Sequence, residues 1–208
     1  VTNGIINLEP LQGSSEWYWG ADYAGNDLYE AEELFRSGHP IDKNRLILIH
    51  RLEGTVHEPV CTQPGQYLGK PVYHNGQIVL LLVDFPKEEI RILIFHEAEG
   101  TTEPLEVLPL SIVADCYNLM LEASPLMLTR SAHDNKFQIL WPERRDFAIE
   151  DHEVFEFLEG NRLYASVWYE DPDYWEELLV RDYDTGEVLE RIPGNFRRMP
   201  DGQKWLLV

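Results

Sequence analysis

Residues 45–55 read Arg-Leu-Ile-Leu-Ile-His-Arg-Leu-Glu-Gly-Thr, and residues 91–101 read Arg-Ile-Leu-Ile-Phe-His-Glu-Ala-Glu-Gly-Thr. The arginine, histidine, glutamate, glycine and threonine of the two stretches are identical and lie 46 positions apart. A motif that recurs at a period of about 20–50 residues is typical of a repeat architecture. The sequence therefore predicts a fold built from repeated units of this size.

The repeat continues along the chain in a weaker form. Residues 137–142 and 177–187 again place a short apolar run at a spacing of about 40–46 residues. A second motif, Asn75-Gly76 or Asp201-Gly202 before an apolar run, recurs out of phase with the first. Asn-Gly and Asp-Gly pairs favour tight hairpins, because a type I′ turn requires positive φ at both central residues. The repeated unit is thus predicted to consist of strands joined by hairpins.

Four-stranded antiparallel units of about 40–50 residues are typical of the blades of a β-propeller. Residues 46–49 and 80–83 are apolar at every position, which indicates strands buried on both faces. We therefore predict an all-β propeller, most simply with five blades. A β-sandwich or a four-bladed propeller is the alternative, and a sandwich with one solvated face per sheet predicts alternating polarity instead.

One propeller domain is predicted over residues 1–208. Its approximate blades are 16–60, 66–108, 114–150, 153–191, and 195–208 together with 4–10. The last of these is a composite blade from both termini, which would remove the free sheet edges that invite aggregation. The second blade is expected to consist of the strands Gln66–His74, Gln77–Val83, Glu89–His96 and Thr102–Leu108. Asp27–Phe35 is predicted as the second strand of the first blade, although its apolar residues also have helical spacing.

The charge balance restricts the partners of this chain. It carries 37 acidic and 17 basic residues, a formal net charge of −20. Phosphate backbones and anionic membranes are bound through Lys and Arg, so neither nucleic acid nor a membrane is an expected partner, whereas a basic protein is. Such a charge also keeps proteins in solution. No apolar run approaches the ~18 residues of a membrane span, and the expected location is cytoplasmic, with a removed leader left open.

No cofactor or metal is predicted. Cys61 and Cys116 are too few for a disulfide framework and lack metal-binding spacing. The repeated His50 and His96 would lie in neighbouring blades about 10 Å apart, too far to share one ion. Asp182–Glu187 resembles a calcium loop, but it lacks the later ligands and fits a turn between strands.

Two aromatic stretches are the candidate ligand sites. The loop 170–177 combines five carboxylates with Tyr174 and Trp175, and Trp17-Tyr18-Trp19 is expected on an inner strand. Aromatic faces stack on apolar sugar surfaces, whereas carboxylates accept hydrogen bonds from hydroxyl groups. The predicted apolar contacts are Trp17, Trp19, Tyr174 and Trp175, and the predicted polar contacts are Asp171 and Asp173.

Catalytic signatures are weak. The sequence has no Ser/His/Asp or Cys/His arrangement and no phosphate-binding glycine loop with usable spacing. We predict a non-catalytic binding or interaction module for a small carbohydrate-like ligand or a basic partner protein. The alternative is a small glycoside-active enzyme, which by analogy with five-bladed glycosidases would use Asp22, Asp115 and Glu156 at the channel mouth.

Overall fold

The computed structural model describes residues 2–22, 27–132, 135–199 and 203–208. In these ranges the regular secondary structure is almost entirely antiparallel β-strand, which confirms the predicted all-β class. The chain divides into two compact units, Val1–Arg130 and Ser131–Val208. The prediction that residues 1–208 form a single domain stays a prediction.

The elements that begin in the first unit are β1 (Glu9–Pro10), β2 (Trp17–Ala21), α1 (Leu28–Arg36), β3 (Leu46–His50), β4 (Thr55–His57), β5 (Gln66–Leu68), β6 (Val72–His74), β7 (Gln77–Asp84), β8 (Glu89–His96), β9 (Thr101–Pro109), β10 (Met120–Ala123) and β11 (Leu126–Ala132). Those of the second unit are β12 (Lys136–Trp141), β13 (Arg145–Ala148), β14 (Glu153–Glu159), β15 (Arg162–Tyr169), β16 (Trp175–Asp182), β17 (Val188–Pro193), β18 (Asn195–Arg198) and β19 (Lys204–Leu207).

The prediction of a strand at Asp27–Phe35 is wrong, because this segment forms the helix α1. The Asp27 side chain accepts the backbone N–H groups of Tyr29 (2.9 Å) and Glu30 (3.3 Å), as an N-cap does. Leu28 and Ala31 are buried at helical spacing. Local capping and a 3.6-residue period therefore override the strand that the repeat would place here.

With a helix in that position, the first sheet has the order β1-β2-β3-β4. Glu9 pairs with Trp19, whereas the sequence had placed residues 4–10 beside the C-terminal hairpin. A Cβ atom on Gly20 would lie 2.4 Å from the Asn7 carbonyl oxygen, a separation that no other residue tolerates. This glycine lets the N-terminal segment lie against β2.

The second sheet follows β5-β7-β8-β9, and β6 also pairs with β7. The single strand predicted over Gln66–His74 is interrupted at Pro71, whose ring removes a ladder donor. By contrast, β7, β8 and β9 agree with prediction to within one residue at each end. Residues 78–84 are all buried, as the two-faced apolar pattern indicates.

In the first unit β10 also pairs with β11, and in the second β12 pairs with β13. β10 begins at Met120, although the sequence predicts a start of the third blade at Ala114. The intervening Cys116 donates its backbone N–H to the Glu32 carboxylate of α1 at 2.7 Å. This bond ties the segment to the helix rather than to a strand.

The second unit contains the four-stranded sheet β14-β15-β16-β17 and the hairpin β18-β19. Both agree with the strands predicted for residues 153–191 and 195–208, although the Asp201-Gly202 turn lies outside the described residues. Phe196 of the hairpin packs with Phe157 and Leu178 in a small core. The described part of the chain contains no helix long and apolar enough to span a bilayer.

A buried ion pair crosses the sheet of the second unit. The Arg181 guanidinium donates to both carboxylate oxygens of Glu153, at 2.7 and 2.6 Å, and the two side chains are 7% and 1% exposed. Arg181 also donates to the Gly186 carbonyl, and Glu153 also accepts the backbone N–H of Glu150 at 2.8 Å. The pair therefore links β14, β16 and the turn that precedes β14.

Substitution Glu153→Gln is expected to lower the free energy of unfolding by about 3–5 kcal/mol, because it leaves the buried Arg181 charge without its partner. The measurement is urea denaturation followed by circular dichroism. Glu159→Gln is the matched control, since this side chain is 68% exposed and lies 3.5 Å from Lys204. It should change stability by about 1 kcal/mol or less. Equal losses in the two variants would contradict this assignment.

Candidate ligand-binding site

A cavity lies at one end of the β14–β17 sheet. Glu153 pairs with Val167, so the residues that precede β14 lie beside those that follow the middle of β15. The cavity has a volume of about 570 Å³, within the range of about 300–1,000 Å³ common for small-molecule sites. It is lined by Asn135, Glu150, Asp151, His152, Trp168, Tyr169, Glu170 and Asp171. We call it the β14–β15 cavity.

Three aromatic residues, His152, Trp168 and Tyr169, line the β14–β15 cavity. The His152 ring lies edge-on to Trp168, with ring centroids 3.8 Å apart. His152 has a φ of +62°, in the left-handed region that side-chain-bearing residues rarely occupy. Tyr169 stacks on Trp175, its cross-strand partner, at 4.1 Å. These contacts fix the orientation of two aromatic rings at the cavity.

Carboxylates form the rest of the lining. Asp151 accepts a hydrogen bond from the Asn135 amide at 2.6 Å, and Glu150 pairs with Arg191. Glu170 and Asp171 are exposed, and neither forms a salt bridge among the residues that the structure describes. The cavity therefore carries an excess of negative charge and of hydrogen-bond acceptors.

The base of the site is a network around Tyr169. Its hydroxyl donates to Glu177 at 2.8 Å, and Arg191 donates to both Glu177 and Glu150. Burial and the neighbouring Glu177 carboxylate raise the pKa of Tyr169 to about 12. The phenol consequently stays protonated at neutral pH and remains a hydrogen-bond donor.

The loop predicted as a site from the sequence contributes only in part. Asp171 lines the cavity, but Asp173, Tyr174 and Trp175 are not among its lining residues. Tyr174 is 63% exposed and donates to Glu176, whereas Trp175 is 44% exposed and supports Tyr169. Direct ligand contacts by these three residues stay predictions.

The other predicted aromatic pair lies in the first unit. Trp17 and Trp19 are 5% and 7% exposed and belong to its hydrophobic core. They point to the same face of β2 because side chains alternate along a strand. They consequently offer little surface to a ligand, and their predicted binding role stays a prediction.

The three candidate catalytic acids are each bound to neighbours. Asp22 accepts the backbone N–H of Arg45 at 2.7 Å, and Asp115 pairs with Arg130 at 2.6 Å, both in the first unit. In the second unit, Glu156 accepts the Ser166 hydroxyl at 2.7 Å. Burial raises the pKa of Glu156 above its ordinary value. These contacts favour structural roles for the three acids.

Several residues that line the cavity were not predicted from the sequence. Along β15, Leu163, Ala165 and Val167 are buried, so the alternate Trp168 falls on the opposite face. This alternation of buried residues could have indicated from the sequence that the Trp168 side chain lies on the other face of the strand. His152 and Glu150 gave no comparable signal, because their position depends on the pairing of β14 with β15.

The comparisons with known proteins are distant. No family model and no curated protein matches the chain. Among solved structures, a putative 6-phosphogluconolactonase from Bacteroides uniformis ATCC 8492 is 14% identical, with a TM-score of 0.46 over 94% of this chain and 60% of that one. A structure from a study of two prolyl endopeptidases is 15% identical, with a TM-score of 0.43 over 92% and 28%. The chain spans less than two thirds of either, and such scores carry no argument about fold or function.

The variant Tyr169→Phe tests the network at the base of the cavity. Because folding raises the pKa of Tyr169 from about 10 to about 12, the phenol stabilises the native state fully below pH ~10. That contribution is lost as the pH rises through 12. The free energy of unfolding, measured by urea denaturation between pH 9.5 and 12, should fall less steeply in the variant than in the native protein. Identical slopes would show that Tyr169 titrates normally.

Proposed function

We propose that this chain is a non-catalytic binding protein, and that a small carbohydrate-like ligand occupies the β14–β15 cavity. The observation that carries the proposal is a concave site lined both by aromatic residues, among them Trp168 against the His152 ring, and by four carboxylates. Small-molecule sites typically combine apolar surface with a few convergent polar groups.

The chemistry of the lining selects the ligand class. Ionised Asp and Glu side chains only accept hydrogen bonds, so the ligand must be rich in donors. Hydroxyl groups and ammonium groups meet that need, whereas an anionic ligand would be repelled by Glu170 and Asp171. The Trp168 indole suits the apolar CH surface of a sugar ring. A neutral sugar or an amino sugar is therefore the favoured ligand.

The concavity of the site favours a small molecule over a basic protein. Docked proteins usually bury about 800 Å² on each partner, which requires a broad face. The volume of about 570 Å³ instead resembles the site of a compact ligand. The basic partner protein remains the competing hypothesis, and the glycoside-active enzyme stays a prediction without an observation in its favour.

We further propose that the four-stranded sheets are blades of a five-bladed β-propeller. The sequential strand order of β14-β15-β16-β17 and the two-faced burial of β7 support this interpretation. An experimental structure tests it directly: sheets arranged around a central channel would support it, and two sheets packed face to face would overturn it.

Thermal unfolding at low salt with matched sugars is the test of ligand class. Glucose, glucosamine and glucuronate are neutral, cationic and anionic sugars that share the pyranose ring. Saturating glucose or glucosamine should raise Tm by several degrees, because a ligand at 100 times its Kd contributes about 2.7 kcal/mol. Glucuronate should have no effect. Stabilisation by an oligolysine peptide alone would favour the basic-partner hypothesis instead.

Two variant pairs locate the binding. Asp171→Asn should weaken binding of the stabilising sugar, measured by calorimetry, by about tenfold, because a charge-assisted hydrogen bond is lost. Glu190→Gln neutralises an exposed carboxylate of β17 that does not line the cavity, and it should leave the affinity unchanged. Trp168→Ala should abolish binding, whereas Trp205→Ala, at a 48% exposed tryptophan, is its control. Equal effects within either pair would contradict the proposed site.

A further inference from the structure

Two histidines and two glutamates converge in the first unit, whereas the residues of the proposed ligand site belong to the second. His50 ends β3 and His57 ends β4, the next strand of the same sheet. His57 pairs with Leu48, so its side chain shares a face with those of Leu48 and His50. Glu53 lies in the turn between the strands, and Glu97 directly follows β8. Strand register therefore brings these side chains together from distant parts of the sequence.

Three of these residues bring ligand atoms close together, and His57 adjoins one of them. His50 Nδ1 lies 3.7 Å from a Glu53 carboxylate oxygen and 3.9 Å from Glu97 Oε1, and His57 Nε2 lies 3.8 Å from the same Glu97 oxygen. The ligand atoms of His50, Glu53 and Glu97 all lie within 4.8 Å of one another. Such separations are longer than hydrogen bonds. Ligands around a tetrahedral Zn²⁺ are about 3.3–3.5 Å apart, so small side-chain shifts would complete a coordination sphere.

The two imidazole nitrogens provide an independent observation. His50 Nδ1 and His57 Nε2 are buried and have no hydrogen-bond partner in the part of the chain that the structure describes. Buried polar atoms normally have a partner, and each exception requires an explanation. Both atoms face the Glu97 carboxylate, which is the arrangement that a bound cation would satisfy.

The surroundings of His50 hold its ring in place. Its second ring nitrogen, Nε2, lies 3.8 Å from a Glu16 carboxylate oxygen. At that distance Glu16 places a negative charge beside the ring but forms no hydrogen bond with it. Trp17 stacks on the other side of the ring at 4.8 Å, and Phe95 packs edge-on to His57 at 5.4 Å. Both histidines thus have restricted orientations.

We propose that His50, Glu53 and Glu97, with His57 beside Glu97 as the fourth ligand, bind a divalent transition-metal ion such as Zn²⁺. Imidazole and carboxylate ligands suit Zn²⁺ and its neighbours in the first transition series. A calcium site would instead need six to eight oxygen ligands. The repeated His96 takes no part, because it lies 3.0 Å from a Glu103 carboxylate oxygen.

Titration calorimetry on the full chain, after removal of metal with a chelator, tests the proposal with Zn²⁺ itself. One equivalent should bind saturably, and Glu97→Gln and His57→Gln should each weaken binding about tenfold or more. Glu97 is 44% exposed at its side chain, so its variant should fold. The double variant His96→Gln/Glu103→Gln changes the same residue types one repeat away and should leave binding unchanged.

Two further readouts separate a built site from weak attraction of cations to an acidic surface. Co²⁺ should give the intense visible absorption of a tetrahedral site, and Glu97→Gln should abolish it. Ca²⁺ at equal concentration should not bind. The absence of saturable Zn²⁺ binding would overturn the proposal, as would equal losses in the ligand variants and the double control variant.

Discussion

The buried pair of Glu153 and Arg181 is the interaction on which the second unit depends. Both charges are withdrawn from water, so each requires the other in a fixed geometry, and the planar guanidinium supplies two parallel hydrogen bonds. The same carboxylate accepts the backbone N–H of Glu150, a residue that lines the β14–β15 cavity. The requirement to keep one buried charge pair intact thus also fixes the turn that shapes the cavity. A site held in this way loses less entropy on binding its ligand.

Both proposed sites occur where strands end. In the second unit, the pairing of β14 with β15 places the turn before one strand beside the end of the other. In the first unit, the pairing of β3 with β4 brings His50 and His57 onto one face. The strands provide rigid support, and the segments beyond them have polar side chains that the sheet ladder does not use. Binding residues commonly occupy such positions on a rigid scaffold.

The sequence predicted much of the sheet structure because the repeated motif coincides with real strands. β7, β8 and β9 were located closely, and most of the second unit followed the same period. The helix α1 was missed because the Asp27 cap and the helical spacing of Leu28 and Ala31 are local signals that a repeat alignment disregards. The pairing of β1 with β2 depends on a close approach at Gly20, which no pattern of polarity reveals.

The candidate sites were harder to predict than the strands. Asp171 was identified from the acidic loop, but Trp168 and His152 join it only through strand register. The repeated motif pairs His50 with His96, and the predicted blades place these two residues too far apart to share one ion. The partner of His50 is His57, seven residues later across a hairpin, because antiparallel pairing and not sequence period decides which side chains meet.

The central claim is that the β14–β15 cavity is the ligand site, and residue-resolved NMR titration with glucosamine tests it most directly. The account predicts saturable changes in the amide signals of residues 149–152 and 168–171, together with the indole N–H of Trp168. Signals from β7 and β8 should not move. Changes concentrated elsewhere, with the cavity signals unmoved at saturation, would contradict the account.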